Sequence, residues 1–212
     1  YGALEKNGYK DIELMLKEMS ITKSGNFKGK NIIRFNEGKI PTYFNDVKKT
    51  LQDLRTKKEY PFIDKKVQTS WSSMMIKALF TLGDIDNKYK QRAIKSLDAL
   101  LETMFIDSKL YHTTLIHKKP KVEAFLEDYA YLAQALIAAF NSTADELYLI
   151  KAQRFANLAL EKFYDCGSWS FSKGEFETKA EIADNTYTSS VSIILDVLLS
   201  LTTLLEDEKY SH

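Results

Sequence analysis

The stretch Ala124–Phe140, AFLEDYAYLAQALIAAF, decides the fold. Phe125, Tyr129, Leu132, Leu136 and Phe140 fall at the spacing of one helical face. Ala130, Ala133, Ala135, Ala138 and Ala139 cover much of the remainder, so neighbouring helices can approach on more than one side. A helix this apolar is expected to lie buried among other helices. Its first turn nevertheless carries two adjacent carboxylates, Glu127 and Asp128.

Outward from this helix the pattern recurs. Trp71, Ile76, Leu79 and Leu82 predict a helix ending at Gly83-Asp84, and Tyr89 to Phe105 predicts its partner. Tyr129 to Phe140 and Tyr148 to Phe163 make a second such pair. The offsets agree: Trp71 to Tyr89 is 18 residues and Tyr129 to Tyr148 is 19, within a repeat of 58 counted from Trp71 to Tyr129. Each pair is followed by a short strand-like segment, Asp107 to Leu115 and Asp165 to Phe171. Thr188 to Leu205 begins a third copy, with Glu206-Asp207-Glu208-Lys209-Tyr210 as the lead-in to a partner. A single hairpin cannot bury both its faces, so hairpins stack side by side. The prediction is an all-α chain, a partial α/α toroid of helical hairpins with short β excursions. Upstream, residues 8–19 read as an amphipathic helix and Tyr43 to Lys57 as another. Ile32, Ile33 and Phe35 read as an extended piece, and Phe62 to Trp71 as a loop leading into the next helix.

Composition sets outer bounds. The 212 residues suffice for one sizeable core, and 30 basic against 29 acidic residues leave a net charge of +1. No broad electrostatic footprint for nucleic acid or an anionic membrane is present. The lone Cys166 allows no internal disulfide, and a buried or inert thiol in a reducing, cytoplasmic setting is expected. No apolar run reaches the roughly 20 residues of a membrane span.

Chemistry-bearing residues are few. Neighbours on a helix diverge by about 100°, so Glu127 and Asp128 do not form a facing pair by themselves. Either can pair as an acid/base with a carboxylate from another helix, as in glycoside-processing toroids. Acids in a first turn are also favoured by the helix dipole and free N–H groups, which is a purely structural account. Trp71, among Gln68, Thr69, Ser70, Ser72 and Ser73, can stack on a sugar ring or anchor its helix. The run from Asp184 to Ser190 opens the third inner helix in the same polar fashion. Three polar helix starts at corresponding positions point to a common rim around a cavity. His112 and His117 lack a third ligand at metal-site spacing, so no metal and no cofactor are expected.

Three segments, GNFKGKNII (25–33), FIDKKVQTSWSSMMIKAL (62–79) and AFLEDYAYL (124–132), together resemble one family. They are similar to the C-terminal α/α toroid of thioredoxin-domain-containing proteins related to spermatogenesis-associated protein 20, formerly a domain of unknown function. The resemblance implies a six-hairpin toroid similar to glycosidases and N-acylglucosamine 2-epimerases. It also implies that residues 1–212 form a single, incomplete toroid domain, with a thioredoxin-like domain and the first hairpins lying upstream. Trp71, Glu127, Asp128 and Tyr129 match the family pattern. The family's Trp-Asn-Gly is Trp71-Ser72-Ser73 here, which removes an amide that would contact a ligand. Its Pro-Ser-Gly-Asn-Ser element is replaced by Tyr187-Thr188-Ser189-Ser190.

The resulting expectation is a carbohydrate-binding or carbohydrate-processing toroid, glycosidase- or sugar-epimerase-like. Asp128 and Glu127 are its catalytic candidates, and Trp71, Tyr129 and Asp184 its substrate-binding candidates. The expected partner is a small-molecule sugar. The alternative is a non-catalytic module or scaffold that binds a protein partner or its own N-terminal portion.

Overall fold

A computed structural model describes residues 2–35, 38–174, 176–206 and 208–210. The chain divides into two compact units, Tyr1–Ile63 and Asp64–His212. Unit one holds α1 (Gly2–Lys6), α2 (Ile12–Glu18) and α3 (Phe44–Thr56) around a small core of Leu4, Ile12, Met19 and Val47. The helix expected over 8–19 is shorter because Gly8 and Asp11 both take positive φ, turning the chain before α2 can begin. Gly25 is obligatory in the GNFKGKN loop. Its φ is +81°, and a Cβ there would lie 2.5 Å from the Gly29 carbonyl carbon. The side chain of Asn26 holds the loop shut, donating to the Ser20 and Ile32 carbonyls and accepting from the Ile32 N–H at 2.8 Å. Ile32, Ile33 and Phe35 belong to no strand.

Unit two begins with β1 (Lys66–Gln68), which leads directly into α4 (Thr69–Gly83) and then α5 (Asn87–Met104). The chain continues through β2 (Phe105–Ile106), β3 (Lys109–Leu115) and β4 (Val122–Glu123) into α6 (Leu126–Thr143) and α7 (Glu146–Phe163). After these come β5 (Tyr164–Asp165), β6 (Ser168–Ser172), β7 (Thr178–Lys179) and α8 (Ser190–Leu205). The last described element is a 3-10 turn, Glu208–Tyr210. Of the lead-in read after α8, Asp207 lies outside the described residues.

Capping sets the helix starts. Asp86 accepts from the Lys88 N–H at 3.0 Å, and Asp145 from the Leu147 N–H at 3.0 Å. Ser189 accepts from the Ser192 N–H at 3.1 Å. The turn between α4 and α5 is tight at Gly83, where a Cβ would stand 2.8 Å from the Lys90 Cβ. After α5 and again after α7 the chain reverses through two residues of positive φ, Asp107-Ser108 and Cys166-Gly167. Such pairs match the twist of a two-residue β-hairpin.

The all-α expectation is therefore too strong. β1 pairs antiparallel with β3, with Val67 opposite Thr114, and β2 and β4 pair with β3 as well. β5, β6 and β7 form a second small sheet. Residues 66–68, read as loop, become a strand because their partner lies more than forty residues downstream. No local periodicity is long enough to reveal them. Cys166 is exposed in its turn, so of the two readings of this thiol the buried one does not hold.

α6 is the centre of unit two and packs against α4, α7 and α8. Thirteen of its 18 residues are buried. Among them, Gln134 reaches Asp196 of α8 at 3.0 Å. Among the described residues no helix is long and apolar enough to cross a membrane.

Candidate functional site

The start of α6 meets the start of α4, the middle of β3 and the loop before α8. Alternation along β3 places Leu110, His112 and Thr114 on one face, and that face turns inward, with Leu110 and Thr114 buried. The His112 Nδ1 then lies 2.9 Å from Asp128 Oδ2 and 4.0 Å from Glu127 Oε1. A carboxylate only accepts, so Nδ1 carries the proton and Nε2 is left for other chemistry. Nε2 lies 3.4 Å from the Gln68 side-chain nitrogen. The two carboxylates that diverge along their own helix thus reach one imidazole.

Asp128 is 0% exposed. Its Oδ1 accepts from the Ser70 N–H at 3.0 Å, and its Oδ2 accepts from the Phe125 N–H at 2.9 Å as well as from His112. One side chain therefore caps two helices, α4 and its own α6. Burial pushes the Asp128 carboxyl up, against the pull of His112 and the two N–H donors. The hydrogen bond to Asp128 pushes the His112 pKa up, against the burial of the ring. With no surface and both oxygens committed, Asp128 is not the substrate-facing acid/base that the sequence suggested. It holds and orients His112.

Glu127 faces the other way. Its Oε2 accepts from the Tyr187 hydroxyl at 3.0 Å, and its Oε1 lies 3.4 Å from the Ser70 hydroxyl. Burial, then the neighbouring Asp128 charge, push the Glu127 carboxyl up. The Trp71 indole N–H donates to the Tyr187 oxygen, so one phenol links Trp71 to Glu127. A cavity of about 430 Å³ opens beside Glu127, with Phe171, Lys179, Thr186 and Tyr187 among its walls.

The remaining expected residues fall in different places. Trp71 is 57% exposed and lines a neighbouring cavity of about 680 Å³ with Gln68, Met75 and Leu79, joined to Glu127 through Tyr187. Tyr129 is not at the rim. It is 3% exposed, edge-on to Phe163, and burial pushes its phenol up to about 12. It is core, and its role as a ligand contact is corrected accordingly. Asp184 is exposed and accepts from the Ser189 N–H at 2.9 Å, fixing the entry to α8. The sequence reading missed Tyr187 as a site residue and did not join His112 to the acids. The alternation Leu110-x-His112-x-Thr114 is the one local signal that turns His112 inward. Nothing local brings Tyr187 to Glu127, which lies 60 residues away.

No protein-family model matches the chain. An uncharacterised protein of Caenorhabditis elegans is 25% identical over 212 residues, covering 88% of this chain and 29% of that protein's length. Among solved structures, a GH76 α-mannanase of Bacteroides thetaiotaomicron superposes with a TM-score of 0.55 at 14% identity, covering 98% of this chain and 66% of its own. Cellobiose 2-epimerase of Bacillus thermoamylovorans gives a TM-score of 0.57 at 15% identity over 71% of this chain and 43% of its own. A Listeria innocua protein gives 0.55 at 13% identity over 79% of this chain and 50% of its own. At these identities the likeness is one of fold: the chain shares an α/α-toroid type of architecture with these structures.

Proposed function

We propose that this chain binds and processes a carbohydrate by proton transfer, at the cavity beside Glu127. The observation that carries the reading is the Tyr187–Glu127 contact, which holds a buried carboxylate on the wall of a cavity. A carboxyl raised by burial above its ordinary range suits proton donation to a sugar oxygen. His112, oriented through Nδ1 by Asp128, offers Nε2 as the complementary base when the imidazole is neutral. Trp71 supplies an exposed aromatic face on the neighbouring cavity, linked to Glu127 through Tyr187. Solved neighbours that are a mannanase and a cellobiose epimerase agree with a sugar ligand.

The same reading assigns the chain to the toroid portion of the thioredoxin-domain-containing relatives, on the strength of the GNFKGKNII, TSW and LEDYA segments. The test of the function is ligand-dependent stabilisation. A mono- or oligosaccharide that raises the melting temperature of the wild type, but not of Glu127→Gln, supports it. A panel that shifts neither protein removes it.

A second reading, a surface for a protein partner, is favoured by a separate observation. Trp71, Met75 and Leu82 on α4, and Leu195 and Leu199 on α8, are exposed apolar side chains. Concentration-dependent sedimentation alone and with candidate partners tests it.

A further inference from the structure

The cluster at the start of α6 has the composition of a cation site as well as that of a proton relay. One ligand atom from each of His112, Glu127 and Asp128 lies within 4.8 Å of the others. The two separations from Nδ1, 2.9 Å and 4.0 Å, bracket the roughly 3.4 Å between ligand atoms around a tetrahedral ion with bonds of about 2.0–2.1 Å. Linear spacing gives no hint of this, because β3 and α6 supply the ligands from opposite sides of a turn.

Charge argues in the same direction. Among the described residues no lysine or arginine pairs with Glu127 or Asp128, and the ion pairs of the lysines go to Asp64, Asp86, Glu123 and Glu177. Two buried carboxylates are thus faced by a single imidazole. Each prospective ligand also has an outer partner of the kind that orients metal ligands. Asp128 is held by two backbone N–H groups, and Glu127 by the Tyr187 and Ser70 hydroxyls. The His112 Nε2 faces the Gln68 amide, whose oxygen accepts from an Nε2–H once the amide is turned. Glu127 lies on the wall of the 430 Å³ cavity, which gives a path for entry and room for a water as fourth ligand.

We infer that His112 Nδ1, Asp128 and Glu127 form a binding site for a divalent transition cation of the zinc class. The ion takes the place of the proton between His112 and Asp128. That proton moves to Nε2 when the imidazole is neutral, or leaves to solvent when it is charged. Occupancy and the proton relay are therefore alternative states of one cluster. The inference stands without the sugar reading.

The experiment uses tag-free full chain stripped with chelator, then titrated with Co²⁺ as a visible-absorption probe and with Zn²⁺ alone in a thermal-shift assay. The expected result is one saturable Co²⁺ equivalent displaced by Zn²⁺, a rise in melting temperature with Zn²⁺, and tighter binding as pH increases. His112→Gln and Glu127→Gln should each weaken Co²⁺ binding at least tenfold. Glu127→Gln leaves the Asp128 caps in place, so a loss there does not come from misfolding. Absence of a saturable absorption band, or a wild-type titration in either variant, overturns the assignment. Sugar binding is measured separately in chelator, so the two proposals fail independently.

Discussion

The carboxylate of Asp128 in α6 accepts the backbone N–H of Ser70 in α4 at 3.0 Å, across 58 residues of sequence. The first turn of α4 is closed by a side chain from another helix, since Gln68 at its own N-cap makes no side-chain cap. Asp128→Asn keeps one acceptor and turns an NH₂ toward donors. We expect it to destabilise the protein by about 2–4 kcal/mol, the cost of leaving buried polar groups unpaired. Urea unfolding with a two-state fit measures this. A change below about 0.5 kcal/mol would show that the cap is dispensable.

His112 makes the stability pH-dependent. Its pKa is raised in the folded state, so the folded chain holds more protons than the unfolded chain across the window above the ordinary histidine value. The contribution is fully present below the unfolded pKa of 6.5 and is lost as pH rises through the folded value. The raised carboxyls of Glu127 and Asp128 act with the same sign, beginning at lower pH. Melting temperature should therefore fall as pH rises above about 6.5, and His112→Gln should flatten that part of the curve. A profile identical in both proteins contradicts the pairing.

Tyr187 is the hinge of the site, bonded to Glu127 and receiving the Trp71 N–H. Tyr187→Phe removes both bonds and leaves the ring against Tyr131. Its expected signature is weakened sugar-dependent stabilisation, about tenfold for one charge-assisted hydrogen bond of roughly 1.5 kcal/mol, with a small effect on the ligand-free protein. Comparing ligand titrations with unfolding curves separates a site role from a packing role.

Gly83 tests the hairpin geometry. A methyl there meets Lys90 at 2.8 Å, so Gly83→Ala forces α4 and α5 apart despite the better helix propensity of alanine. Overpacking of about 1–3 kcal/mol outweighs the gain of roughly 1 kcal/mol. Thermal denaturation should show a net loss, and stabilisation would mean that the turn is looser than described.

Helical periodicity carried most of the fold because α4 to α8 each bury a stripe that repeats along one face. α6 was legible in particular, since alanines and large apolar residues alternate around its whole circumference. The strands were legible only as short interruptions. Lys66–Gln68 owes its extended form to pairing with β3 and has no pattern of its own. At the site, Glu127 and Asp128 stood out as charges in an apolar helix, yet their opposite fates follow from three-dimensional neighbours. Ser70 N–H and His112 claim Asp128, while Tyr187 and the cavity claim Glu127. Tyr129 matched the same motif but lies on the core side, against Phe163.

The most direct test of the account is a thermal-shift titration of wild type and Glu127→Gln with mono- and oligosaccharides, in chelator at neutral pH. A carbohydrate site at Glu127 predicts a saturable, concentration-dependent rise for at least one sugar with the wild type, and its loss in Glu127→Gln. A well-folded wild type that no sugar stabilises, or a shift that persists unchanged in the variant, would contradict a carbohydrate site at Glu127.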